Sequence, residues 1–325
     1  HTANGGQVPT ATWDTTTELY FTGIIDQNVI GLSGQTVGAV TYNSIGQTAS
    51  NILLANTTGT TVINGDFIVQ STGSVTNAVE LFTTTGSMII YGNFIVQTGI
   101  LNINTANSTN SINIYGDLLV HTNGTFTRTG ATGTATITLF GENKQFNAST
   151  GTLNTETMAF IINAGASITL FQNIEVTSAR AFTVNGILNL GTNIIHGAGT
   201  FTLAGTVAAG LITAHPQGIN LVADGETGSI QTTGGRTFGN TNYEYTGQVA
   251  QVTGTGLPAS IRTLTINNAH SDGVILTNPL IVTTDMYLTQ GRLLLGNNDL
   301  SLSSTTGSII GNTSTSTMIV TNGTG

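Results

Sequence analysis

Fifteen acidic, six basic and five histidine residues hold most of this chain's titratable chemistry, and few of them fall close together. The most regular oxygen donors form a column. Asp66, Asn93, Asp117, Glu142 and Asn173 occupy one recurring corner position. Carboxylates and amides stacked one coil above another could offer Ca²⁺ its oxygen ligands, with Asp66, Asn93 and Asp117 at the heart of the site. The competing reading is that Asx residues tolerate corner backbone and bond to it, or form an amide ladder. No other cofactor is implied.

Two carboxylates about 5–10 Å apart could hydrolyse a glycosidic bond. Asp66 and Asp117 sit at equivalent corners, but Asn93 lies between them and puts them two coils apart. Asp224 and Glu226 are the closest acidic pair, within Ala223-Asp224-Gly225-Glu226-Thr227-Gly228, which reads as a turn. Tyr243 and Tyr245 share one strand face and could stack on a carbohydrate; packing at a coil surface or under a loop is the commoner use of such a pair. His121, His196, His215 and His270 are dispersed, with no HxH or HExxH spacing for zinc. No GxSxG elbow occurs, and the glycines from Gly23 to Gly38 lack a phosphate-binding lysine. The six basic residues are scattered singly, which excludes the clustered cations that nucleic acid requires. No intrinsic enzymatic activity is expected.

The elements that must position these residues repeat. Ile63-Asn64-Gly65-Asp66-Phe67-Ile68-Val69-Gln70 returns as Ile90-Tyr91-Gly92-Asn93-Phe94-Ile95-Val96-Gln97 and as Ile114-Tyr115-Gly116-Asp117-Leu118-Leu119-Val120-His121. Weaker echoes are Leu139-Phe140-Gly141-Glu142 and Leu170-Phe171-Gln172-Asn173. The steps from Gly65 are 27, 24, 25 and 31 residues. Each period holds about three short strands, as in Phe94–Gln97, Ile100–Asn104 and Ser111–Tyr115. Three strands and three corners per period describe one coil of a parallel β-helix. The expectation is an all-β, right-handed β-solenoid of about 12 coils, roughly 60 Å long at about 4.8 Å per coil.

Parity then assigns the interior. Ile63, Gly65, Phe67 and Val69 share one parity, so Phe67, Phe94 and Leu118 stack, as do Val69, Val96 and Val120. Ile68, Ile95 and Leu119 have the opposite parity. Either the Gly-Asx corner reorients the strand, which is the reading adopted here, or an aliphatic stripe faces outward. Thr134, Thr136 and Thr138 alternate as a lattice-matching ice-binding face would. Aligned on the corner glycines, however, Thr138 falls over Asn113 and Ile89, and Thr136 over Ser111 and Ser87, so the ladder is not sustained.

Composition agrees with a solenoid. Thr supplies 63 residues and Gly 42, Pro only 4, and charged residues are 6% against roughly 25% in ordinary globular domains. Helical spacing is missing, and β-branched residues suit extended backbone. The chain has no cysteine, which excludes disulfides and thiol chemistry, and no apolar run long enough to span a bilayer. Residues 1–40, with the single Trp13, read as an N-terminal cap, and residues 41–325 as coils of one domain. The last 25 residues still read as coil strands and corners. They are expected to continue into further chain, dock a partner or receive the next subunit of a filament.

Tyr245-Thr246-Gly247, Val252-Thr253-Gly254-Thr255-Gly256-Leu257-Pro258, Leu264-Thr265-Ile266-Asn267-Asn268 and Met318-Ile319-Val320-Thr321-Asn322-Gly323-Thr324-Gly325 carry a resemblance. Over residues 240–325 the chain resembles the Thr/Gly/Asn-rich β-helical regions of large Bacteroidota surface proteins, adhesin-like substrates of type IX secretion. The resemblance implies an extracellular, cell-surface location. Its partners would be the secretion machinery or cell surface and polysaccharide. It supplies no catalytic motif, and the sorting domain typical of that family is not in this sequence. A structural or adhesive role is expected, with an extracellular filament subunit or a polysaccharide-binding or -degrading β-helix as alternatives.

Overall fold

A computed structural model describes residues 7–26, 29–55, 58–220, 227–303, 307–311, 313–321 and 323. Among them the chain is all-β without helix, its parallel strands stacked as a β-solenoid of about 12 turns. Two compact units divide it, His1–Ile161 and Ile162–Gly325.

In the first unit three parallel sheets run side by side. The first contains Glu18–Thr22, Ala39–Asn43, Phe67–Ser71, Phe94–Val96, Leu118–Val120 and Lys144–Asn147, each strand paired with the next in that order. The second contains Asn51–Leu53, Ala78–Phe82, Gly99–Asn104, Gly124–Thr127 and Thr152–Leu153. The third contains Thr36–Val37, Thr60–Ile63, Gly86–Ile90, Asn110–Ile114 and Ala135–Leu139. The stacking read from parity holds: Phe67 pairs with Phe94 and Phe94 with Leu118, while Val69, Val96 and Val120 form the neighbouring column. All six are buried, and the Phe67 and Phe94 rings lie 5.5 Å apart. Burial of each such side chain stabilises by about 1.5–3 kcal/mol.

Ile68, Ile95 and Leu119 correct the reading adopted above. They pair in one column, half-buried, on the outward side of the first sheet. The corner residues Asn64, Gly65 and Asp66 bend the chain without shifting its parity, so Phe67 and Val69 stay inward and Ile68 turns out.

The segment read as an N-terminal cap holds strands of the first and third sheets. Pairing begins at Glu18–Thr22, well before residue 41. Residues 7–17 are the part that precedes the first strand. There Trp13 Nε1 donates to Gln35 Oε1 at 2.8 Å, and Asp14 Oδ1 accepts the Thr16 N–H at 2.8 Å.

In the second unit one sheet runs throughout: Ser167–Leu170, Ile187–Asn189, Gly210–Thr213, Asn242–Gly247, Thr263–Asn268, Met286–Gln290 and Ile309–Gly311. The other sides change partway. Up to Phe238 they are Ile174–Glu175, Ile195–Gly197 and Ile230–Thr232, with Ala181–Val184, Thr200–Leu203 and Arg236–Phe238. From Gln251 they are Gln251–Val252, Val274–Ile275, Arg292–Leu294 and Met318–Val320, with Ser260–Ile261, Leu280–Val282 and Leu300–Leu302.

Candidate functional site

The corner column is a hydrogen-bonded ladder. Asp66 Oδ1 accepts the backbone N–H of Asn93 at 2.7 Å, Asn93 Oδ1 that of Asp117 at 2.9 Å, and Asp117 Oδ1 that of Gln145 at 2.9 Å. The preceding glycine is required by the same packing. A Cβ on Gly92 would overlap Asp66 Oδ1 and the Gly65 backbone, and one on Gly116 would overlap Asn93 Oδ1 and the Gly92 carbonyl. The Gly-Asx pair recurs because each Asx lies over the next coil's glycine. One oxygen of each proposed Ca²⁺ ligand is thus committed to a backbone donor.

Two residues of the expected column stand elsewhere. Leu118 pairs with Phe146, so Gln145 follows Asp117 in the stack. Glu142 lies in the extra length of that corner, exposed. Asn173 sits in the second unit, between Ser167–Leu170 and Ile174–Glu175, where its Oδ1 accepts the Ile194 N–H at 3.1 Å. The acidic pair Asp224 and Glu226 lies outside the described residues. Among the described residues no group of three or more His, Asp or Glu is placed to hold a metal ion.

Sequence reading missed two buried charges. Glu80, 1% exposed, accepts from Asn51 Nδ2 and from the N–H and Oγ1 of Thr105, at 2.6 and 2.8 Å. Arg128, also 1% exposed, donates through Nη1 to the Gly130 carbonyl at 2.8 Å and through Nη2 to those of Ser108 and Thr132 at 2.9 and 2.6 Å. It holds the loops of two successive coils together. Neither residue has a motif around it that could have revealed this. Only the register shows that Glu80 stands beside Leu53 and Asn102 on a face that is itself covered.

Tyr243 and Tyr245 do share a strand face, but it is the inner one. They are 1% and 0% exposed, in columns with Leu211, Leu264 and Met286 and with Ile266 and Leu288. Their hydroxyls donate to the carbonyls of Gly239 and Thr253 at 2.7 and 2.8 Å. Burial pushes both phenols well above their usual pKa, and for Tyr245 the neighbouring Tyr243 adds to it. No sugar can stack on them.

The other face of the same strand is open. Asn242, Glu244 and Thr246 point outward, and the register extends them into columns. Ile212, Glu244, Thr265 and Tyr287 form one; Thr246, Asn267 and Gln290 form the next, with a bulge before Gln290. Asn267 Nδ2 donates to Glu244 Oε1 at 3.1 Å. Two depressions mark this face. One of about 100 Å³ is lined by Ile187, Gly210, Ile212, Glu244 and Thr265. One of about 510 Å³ is lined by Thr246, Gln248, Asn267 and Gln290. The register places Leu264, Ile266, Met286 and Leu288 in the columns of the two tyrosines, which makes Glu244 the outward residue.

In the first unit a trough of about 430 Å³ is lined by Thr60, Ser87, Ser111 and Thr136, one column of hydroxyls; Thr60 Oγ1 and Ser87 Oγ bond to each other at 2.6 Å. The next column is Val62, Ile89, Asn113 and Thr138, so a two-threonine ladder is not sustained, as expected. Tyr91, Tyr115 and Phe140 stack outside it at 4.8 and 4.4 Å. The Tyr115 and Phe140 rings are stacked, Tyr91 is tilted against Tyr115, and Tyr91 is half exposed.

Comparison of the chain with protein-family models, with characterised proteins and with solved structures found no match.

Proposed function

We propose that this chain is a non-catalytic, extracellular structural and adhesive β-solenoid of a bacterial cell-surface or secreted protein. One observation carries the reading: side chains that could do chemistry are used to join one coil to the next. Asp66, Asn93 and Asp117 each take a backbone N–H from the following coil. Glu80 and Arg128 do comparable work inside the first unit. A carboxylate fixed on a backbone donor is poorly placed to shuttle protons, whereas such bonds stiffen a repeat that must survive outside the cell. The resemblance of residues 240–325 to Bacteroidota surface proteins supports the same placement.

The test has two arms. Protease shaving and antibody labelling of intact source cells should find the chain on the surface; recovery from the cytosol alone overturns the location. Incubation with plant, algal and bacterial polysaccharides, with and without Ca²⁺, should release no oligosaccharide. Reproducible release that is lost on replacing a single Asp or Glu overturns the non-catalytic reading.

A further inference from the structure

We propose that the outward face of Gly210–Thr213, Asn242–Gly247, Thr263–Asn268 and Met286–Gln290 binds a neutral glycan chain, with Glu244 at its centre. The inference deepens the adhesive reading and rests on it.

The two depressions belong to one surface. Glu244 lines the first and Thr246 the second, two residues apart on one strand; Thr265 and Asn267 repeat the relationship one coil on. Along this face stand one carboxylate, amides, hydroxyls, an aliphatic wall at Ile187 and Ile212, and the half-exposed ring of Tyr287. A carboxylate accepts two hydroxyls at once, amides both donate and accept, and aliphatic and aromatic groups cover the C–H faces of a pyranose. The bond from Asn267 holds one oxygen of Glu244 in place before any ligand arrives. The step from coil to coil, about 4.8 Å, is close to the length of one sugar ring, so successive coils present similar groups to successive units.

Other occupants fit less well. An anionic polymer would meet Glu244 with no cation among the residues lining either depression. An extended peptide gains affinity from backbone pairing at a sheet edge, and this is a sheet face. Gly210 lines the first depression, and a Cβ there would approach Asn242 and Ile187 no closer than 3.4 Å, so the strand has room for a side chain that it lacks.

The experiment is retention of the full chain on immobilised neutral glycans (β-glucan, mannan, galactan) and acidic ones (alginate, polygalacturonate), with adhesion to whole cells scored on the same preparations. At least one neutral glycan should be retained. Glu244→Ala, Tyr287→Ala and Gly210→Leu should each weaken retention about tenfold or more, the loss expected when a charge-assisted hydrogen bond or a contact surface is removed. Matching circular dichroism and melting temperature establish that each variant folds. Retention of acidic glycans only, of no glycan, or of a neutral glycan unchanged in folded Glu244→Ala and Gly210→Leu overturns the inference. Adhesion without glycan retention overturns the glycan assignment alone; a folded protein that adheres to nothing overturns the adhesive reading as well.

Discussion

The carboxylate of Asp66 accepts the backbone N–H of Asn93, 27 positions later in the chain, at 2.7 Å. Asp66→Ala removes that acceptor and should cost about 1–2 kcal/mol, whereas Asp66→Asn keeps an oxygen in place and should cost less than half as much. Denaturant titration gives the energies, and amide exchange should show the Asn93 N–H opening faster in Asp66→Ala. Gly92→Ala should be worse than either, since its methyl group meets backbone as well as the Asp66 side chain.

Arg128 bonds three carbonyls from two loops, so its loss strands several acceptors at once. Arg128→Met should destabilise the first unit by about 3 kcal/mol or more. Arg128→Lys should rescue little, because one ammonium lacks the planar fork that reaches both loops. Limited proteolysis should show new cleavage within residues 104–110 and 128–134.

The buried tyrosines predict alkaline lability. Burial pushes Tyr42 up to about 12 and raises Tyr243 and Tyr245 well above the usual phenol value. A folded-state pKa above the unfolded value of about 10 stabilises fully below pH 10, and that stability is lost as pH rises through the folded values. Unfolding should therefore set in above about pH 10, reported by phenolate absorbance and circular dichroism together. Tyr245→Phe should soften this dependence while losing the bond to Thr253.

His215 predicts a milder effect on the acid side. Its Nδ1 accepts the Gln217 N–H at 3.1 Å, which suits the neutral ring, and burial holds its pKa below the usual 6.5. A depressed folded value means stability that is present above about pH 6.5 and declines as pH falls toward the folded value. His215→Gln should flatten the melting temperature across that interval. An unchanged slope would remove His215 as its source.

The repeat was legible because identical positions stack: the register that places Phe67 on Phe94 follows from spacing alone. Parity was legible too, but only where several coils agreed. Tyr243 and Tyr245 were matched to the right strand and left without a side, since two aromatic residues suit either face of a sheet; the columns of Leu264 and Met286 decide it. Ile68 failed for a related reason: an apolar residue was given an inward place that its parity denies it, although half-buried aliphatic residues are ordinary on a protein surface. Glu142 and Asn173 failed because corners vary in length, and an echo of a motif does not fix which corner it occupies. Glu80 and Arg128 were invisible, since Glu80 finds Asn51 and Thr105 on neighbouring coils and Arg128 bonds backbone carbonyls, none of which a motif marks.

The Asx ladder has a direction in time. From Asp66 to Asn93, Asn102 to Thr129, Asn107 to Thr132 and Asp285 to Ser308, the oxygen belongs to the earlier segment and the N–H to the later one. A chain delivered from its N-terminal side meets an acceptor already in place at each of these four positions. Delivered in reverse, each new segment would bring its acceptor to a donor that had been bare until then. Synthesis from the N-terminus therefore lays down each of these acceptors before the donor it will meet.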